Sequence, residues 1–429
     1  MSAQIIPRLL LALPVVILAS RVGAALLRRL GQPPVVGEIV TGILLGPSLL
    51  GRLWPQAQSH LFPPAVTDHI DVLGQLGLLA FMFLIGLELD LGHLRGNGRA
   101  AAVISQVSIL LPLLLGGLLA LGLFDSFAPQ GIDRVAFVLF VAVAMSITAF
   151  PVLARILTDQ GLYHTAIGSL AMACAAASDI IAWCLLALVV AFVKGGAPTE
   201  SLTTVALVLA YFVAMTRVMR PLLVRLSRWK RAAAGGEGQD GTVLALLFGG
   251  TCLSALVTDA IGVHALFGAF LFGVVTPRRS TVVERSAARL RSVAVPLLLP
   301  LFFVTTGLRT DIGMLAADPA QWLWFGAVLL VALVGKWGGG SVAARLSGRP
   351  WREALSLGAL MNCRGLTELI VLNIGLNLGV INEELFTILV LMALITTALT
   401  SPVVRALGRC EEPRQRNTRP VHEPDPAQP

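Results

Sequence analysis

From residue 5 to residue 407 the chain is a succession of apolar runs about as long as a bilayer is thick, joined by short polar connections. A helix needs roughly 20 residues to cross the hydrocarbon core, and each run supplies about that many. Reading them in order gives about thirteen spans: 5–27, 35–52, 70–90, 100–122, 135–157, 165–193, 202–224, 241–258, 262–276, 292–308, 322–346, 354–376 and 384–407. The expected fold is therefore an all-α polytopic membrane protein. The leading MSAQ lacks a basic segment and the first run continues past Arg21, so it is read as a retained helix and not a cleaved signal.

Composition excludes the soluble alternatives. Only 13% of the 429 residues are charged, about half the share in soluble domains, which argues against a water-soluble enzyme, a disordered regulator or a nucleic-acid-binding domain. The net charge of +8 then needs another explanation. Five cysteines (Cys174, Cys184, Cys252, Cys363 and Cys410) stand singly without ligand spacing and read as small core residues. Forty-two glycines and 24 prolines suit a bundle of close-packed and interrupted helices.

If thirteen helices alternate, one side collects Arg28, Arg29, Arg95, Arg99, Arg155, the run Arg225, Arg228, Lys230 and Arg231, then Arg278 to Arg291, Arg345, Arg349, Arg352 and the tail arginines. Opposite connections mix Arg52, Arg134, Lys194 and Arg309 with Asp68, Asp125, Asp133, Glu200, Asp311, Asp318, Glu383 and Glu384. The positive-inside rule puts the first side in the cytoplasm, with the N-terminus outside and the C-terminus inside, as in a multi-pass protein of a bacterial inner membrane. The excess of positive charge is thus a topology signal.

The organisation expected is a first helix (1–30), a first repeat (31–195), linking helices with a basic cytoplasmic linker (196–258), a second repeat (259–408) and a disordered tail (409–429). The repeat rests on two alignments. VGEIVTGILLG (36–46) lines up with VHALFGAFLFG (263–273), and FMFLIGLELDL (81–91) with FFVTTGLRTDI (302–312), pairing Gly86 with Gly307 and Asp90 with Asp311. Corresponding spans are an odd number of helices apart, so the second copy enters from the opposite side. Inverted-topology repeats are the architecture of many secondary transporters.

A charge at the centre of a membrane helix costs about 2.5–3.5 kcal/mol on insertion scales and persists with a partner, water or a job. Asp179 sits midway along its run, behind the small residues of AMACAAASD; it reads either as a cation site or as an acid capping an interrupted helix. Lys336, one of three lysines, is also central. An arginine would keep its proton, whereas a lysine withdrawn from water can exchange one; the alternative is a structural ion pair, with Asp179 as the obvious partner. Two stretches interrupt helices at similar depth. SITAFPVLARIL (146–157) carries Ser146, Thr148 and Pro151, and LMNCRGLTELIVLNIG (360–375) carries Asn362, Arg364, Gly365, Thr367 and Glu368. Arg364 and Glu368, four apart, share a helical face and can neutralise each other. Glu38 lies near the cytoplasmic end of its span, where it can snorkel toward a loop arginine or line a vestibule.

GQPPVVGEIVTGILLGPSLLG, FLIGLELDL, SITAFPVLARIL, ASDIIAW, IGVHALFGAFLFGVVTP, LPLFFVTTGLRTDI, GKW and LMNCRGLTELIVLNIGL resemble, in the same order, motifs of the monovalent cation:proton antiporters of the Kef-type and plant cation/proton-exchanger branch. The resemblance covers residues 30–405. It implies a thirteen-helix fold with two crossing broken helices, an elevator-type antiporter of Na+ or K+ against protons, and a homodimer in the bilayer. No cofactor follows from it. By similarity, Asp179 is the carboxylate that binds a cation and protons in turn. Ser178, Ser146, Thr148 and Asn362 supply oxygens around it, and Lys336 is the charged residue of the partner helix. Many relatives have two adjacent acids where this chain has Ser178 and Asp179, and plant-type relatives often have Asn and Asp. A single carboxylate implies exchange of one cation for one proton. A sodium-coupled symporter of organic anions would use the same scaffold, with Arg364 as the anion's only candidate. A channel filter and an intramembrane protease motif are not evident.

Overall fold

A computed structural model describes residues 5–88, 98–163, 165–194, 198–225, 238–261, 265–278, 280–317 and 319–408. Asp90, His264, most of the basic linker and the tail expected to be disordered lie outside the described residues. Within them the chain is helical and contains no strand.

In chain order the main helices are α1 (Ile5–Arg29), α2 (Pro34–Leu45), α3 (Pro64–Glu88), α4 (Gly98–Phe127), α5 (Arg134–Ser146), α6 (Phe150–Asp159), α7 (Ala166–Lys194) and α8 (Pro198–Ala214). They continue with α9 (Gly238–Ala260), α10 (Ala265–Val275), α11 (Thr281–Val293), α12 (Leu299–Leu308), α13 (Pro319–Ala332) and α14 (Gly339–Leu346). The last three are α15 (Trp351–Met361), α16 (Leu366–Asn377) and α17 (Glu383–Gly408). α8 runs on through a π-helical turn at Met215–Met219; α11 joins α12 through another at Ala294–Leu298, and α13 joins α14 through a third at Leu333–Gly338.

Ten described stretches are long and apolar enough to cross a membrane, which makes the chain a multi-pass integral membrane protein. The remaining three expected spans fall on the short apolar α10 and on two interrupted pairs, α5–α6 and α15–α16. Helices also extend beyond the apolar runs. α3 begins at Pro64 and not at residue 70, with Asp68 and Asp71 in its first turns, and α11 reaches back to Thr281, before the expected start at 292. Both extensions are amphipathic: Val282, Val283, Ser286 and Ala287 of α11 are buried while Glu284, Arg285 and Arg289 face out. A search for uniformly apolar runs passes over such turns.

The helices sort into two packed groups. One contains α1, α2, α3, α9, α10, α11 and α12; the other contains α4 to α7 and α13 to α17. α8 packs on α7, and the π turn that follows it packs on α10. In the first group the helices meet at glycines. A Cβ on Gly42 of α2 would lie 2.9 Å from Gly307 Cα of α12, and one on Gly307 would lie 2.6 Å from Gly42 Cα. A Cβ on Gly86 of α3 would lie 2.1 Å from the Phe270 carbonyl oxygen of α10, and one on Gly273 would lie 2.1 Å from that of Phe83. Backbone therefore lies on backbone at both crossings.

These contacts are reciprocal. α2 packs on α12 as α10 packs on α3, and α4 packs on α5 as α14 packs on α15. At these crossings Gly42 lies against Gly307 and Gly273 against Gly86.

Candidate functional site

α5 ends at Ser146 and α6 starts at Phe150; the residues between, Ile147 to Ala149, are non-helical and buried. α15 ends at Met361 and α16 starts at Leu366, with Asn362 to Gly365 between them. A helix end leaves backbone carbonyls and N–H groups without intrahelical partners, and inside a membrane each must be met by protein. Here the two breaks meet each other. Ala149 N–H donates to the Cys363 carbonyl at 3.0 Å, and Thr148 Oγ1 donates to the Met361 carbonyl at 3.3 Å. Gly365 has φ +157°, and a Cβ there would sit 2.8 Å from Val152 Cγ2, so only glycine lets α16 start so close to α6.

Arg364 fastens this crossing. Its side chain is fully buried. Nη1 donates to Glu368 Oε1 at 2.7 Å, and Nη2 donates to the Met145 carbonyl at 2.7 Å, with the Ala144 carbonyl 3.4 Å from Nη1. One cation thus serves the carbonyl end of α5 and the acid in the first turn of α16, where a negative charge suits the helix dipole. Thr397 Oγ1 of α17 accepts the Arg364 N–H at 3.1 Å.

Lys336 approaches from the π-helical turn between α13 and α14 and is 0% exposed. A π turn widens the helix locally and is common at functional sites. Its ammonium donates to Thr148 Oγ1, so this hydroxyl receives one hydrogen bond and gives another to Met361. The charged neighbours of Lys336 are Arg364, Glu368 and Asp179.

Asp179 projects from α7 and is 3% exposed. Lys336 and Thr367 are its polar neighbours. Its Oδ1 is buried and accepts no hydrogen bond. Two more buried oxygens in this region have no donor, Asn362 Oδ1 at one break and Glu368 Oε2. Such an oxygen is costly to bury unless a proton, water or cation meets it. The three bare acceptors belong to α7, to the second break and to the first turn of α16.

The other sequence candidates are distributed differently. Ser146 is buried at the end of α5 and donates to its own helix, at the Val143 carbonyl, 2.8 Å away. Ser178 is buried beside Asp179, but its hydroxyl lies 3.2 Å from Ser105 Oγ of α4. Glu38 neither snorkels nor joins the cluster: it is 8% exposed and lines a separate cavity of about 600 Å³ between α2, α3, α6, α7, α11 and α12. At the far end of α12, Arg309 pairs with Asp71 of α3 and donates to Asn377 Oδ1 at 3.1 Å and Asn373 Oδ1 at 3.4 Å on α16. Asn373 Nδ2 also donates to Thr306 Oγ1 of α12 at 3.1 Å. Ser105 and the Arg309 group were not singled out from sequence; Ser105 and Ser108, three apart, were the available signal for the first.

The family described as the transmembrane sodium/hydrogen exchanger matches residues 16–410. The chain is 40% identical over 395 residues to the Na+/H+ antiporter NhaS4 of Synechocystis, covering 91% of this chain and 94% of that protein. It is 41% identical to the cation/H+ antiporter 20 of Arabidopsis thaliana and 34% identical to the K+/H+ antiporter 1 of Saccharomyces cerevisiae; those matches cover 94% and 87% of this chain but only 48% and 43% of theirs. The chain thus spans about half the length of these plant and yeast relatives. Among solved structures, the sodium proton antiporter MjNhaP1 of Methanocaldococcus jannaschii shares the fold, with a TM-score of 0.63 at 14% identity over 93% of this chain and 97% of that one.

Proposed function

Because the chain belongs to the sodium/hydrogen exchanger family, we propose that this cation/proton antiporter binds its monovalent cation and its proton in alternation at Asp179, at the crossing of its two broken helices. The observation that carries the reading is the bare Oδ1 of a nearly fully buried aspartate, set beside a buried lysine that is engaged by Thr148. A carboxylate in that setting can hold a proton or a dehydrated cation, and either occupant excludes the other. Thr148, Thr367 and Asn362 supply the neighbouring oxygens, and the facing ends of α5 and α16 are held by Arg364 and not by the ion. The crossing therefore persists while the occupant of Asp179 changes.

The reading extends to transport by alternating access, in which the group of α5, α6, α15 and α16 moves against the group of α2, α3, α10 and α12, as in an elevator. Its support is the division of contacts between these groups. With Ser178 turned to Ser105, Asp179 is the one acid at this point of α7, which favours exchange of one cation for one proton. The arginine-rich side is cytoplasmic in this reading. The experiment is pH-quench fluorescence in proteoliposomes with Na+, K+ and Li+ titrated in turn. Asp179→Asn is expected to abolish cation-dependent proton movement while keeping the wild-type elution profile; exchange retained in that variant removes Asp179 from the central role.

A further inference from the structure

Among the described residues, Glu38 is the one buried acid that the mechanism above does not use. It stands in the first turns of α2, 8% exposed, and no described residue donates a hydrogen bond to its carboxylate. Arg21 of α1, itself exposed, is its charged neighbour. The cavity of about 600 Å³ that Glu38 lines is otherwise apolar through its depth, with Phe81, Leu84, Ile85, Phe303 and Val152 in the wall. Its other charged lining groups are Glu88 and Arg291, half exposed and paired with each other. That pair marks the mouth, at the arginine-rich end of the bundle.

The cavity's lining also includes Phe150, immediately after the first break, and Met172 of α7. Met172 precedes Asp179 by seven residues, roughly 10 Å of helix rise. An unpaired carboxylate inside an apolar passage is stable only when something neutralises it. An antiporter carries the two species that do so, a cation and a proton.

Resting on the antiport reading, we propose that Glu38 is a second, transient site for the transported monovalent cation, a waiting carboxylate in the vestibule that passes the ion to Asp179. At its own position it neutralises the ion part-way along an apolar wall where water alone solvates it poorly. Glu88 does not share this role, because Arg291 already neutralises it.

The test uses the full chain and two readouts. In proteoliposomes, Glu38→Gln is expected to raise the apparent KM for Na+ or K+ about tenfold, about 1.4 kcal/mol of lost attraction for a cation at an intermediate dielectric, with a smaller fall in maximal rate. Glu38→Asp, which keeps the acid, should recover most of that loss. Independently of transport, a hydrophobic carbodiimide should modify Glu38 of the detergent-purified wild type. Na+ or K+ should protect it, whereas choline should not, as read by peptide mass spectrometry. Labelling indifferent to cation, or a Glu38→Gln KM within twofold of wild type, overturns the proposal. Wild type that exchanges no cation would overturn the antiport reading instead, and the labelling arm would still decide whether Glu38 holds a cation.

Discussion

Arg364 gives the sharpest energetic test of how the crossing is held. Replacing it by methionine keeps the buried stem volume, so the change is almost purely polar. Two losses follow. Glu368 is left as an unpaired acid in a fully buried position, and breaking a buried pair from one side costs about 3–5 kcal/mol. The Met145 carbonyl, which accepts from Nη2 at 2.7 Å, is left bare at roughly 1–3 kcal/mol; the 3.4 Å contact to Ala144 adds little. The single variant should therefore lose about 5 kcal/mol, a large part of a typical protein's ~5–15 kcal/mol margin. The double variant Arg364→Met/Glu368→Leu removes both charges and should regain the pair component, leaving only the carbonyl loss of roughly 1–3 kcal/mol. The buried thiols of Cys174 and Cys363 provide the assay. With Cys184, Cys252 and Cys410 changed to serine, the temperature at which a fluorogenic maleimide reacts reports opening of this region. A single variant that melts with wild type, or a double variant no more stable than the single, refutes the account of Arg364 as a fastener.

Two other outcomes follow from contacts already described. Gly86→Ala would bring a methyl to 2.1 Å from the Phe270 carbonyl oxygen, and the forced separation of α3 and α10 should lower the same melting temperature by the equivalent of about 1–3 kcal/mol. Gly249→Ala in α9 meets nothing within 4 Å and should be neutral or stabilising by up to about 1 kcal/mol; equal effects would sink the argument from close approach. Arg309→Ala removes the tie from α12 and α3 to α16. Loss of about 1 kcal/mol favouring the present arrangement should reduce the reactivity of Ala154→Cys, on the cavity wall, toward a membrane-impermeant thiol reagent by up to about fivefold, and unchanged reactivity would show that Arg309 does not hold this state.

The fold was legible because the bilayer imposes one length and one chemistry on every span. The interruptions at 147–149 and 362–365 were legible as well, since Pro151 and the Asn-Cys-Arg-Gly stretch cannot continue an apolar helix unremarked. What escaped was everything that depends on distance across the bundle. Arg309 meets Asp71 across 238 residues and Asn373 across 64, and no periodicity in the chain announces either. Ser105 was hidden for a similar reason, because a lone hydroxyl in an apolar helix acquires meaning only when Ser178 arrives beside it. For Glu38 the sequence leaves two options, snorkelling toward a loop arginine or lining a vestibule, because its span places it near a helix end; the cavity wall it shares with residues of α3, α11 and α12 could not be read from α2 alone.

The glycine crossings of the first helix group carry a mechanical consequence. Where Gly42 faces Gly307 and Gly86 faces Gly273, no side chain cushions the two backbones, and displacement by a single residue would drive a larger neighbour into a main chain. These joints are keyed and cannot slip. Any sliding that exchanges one open end for the other must run along surfaces padded by flexible side chains, and the wall of the vestibule, with its leucines and phenylalanines, is such a surface. In the proposed alternating-access motion, these smallest residues mark two joints along which sliding does not run.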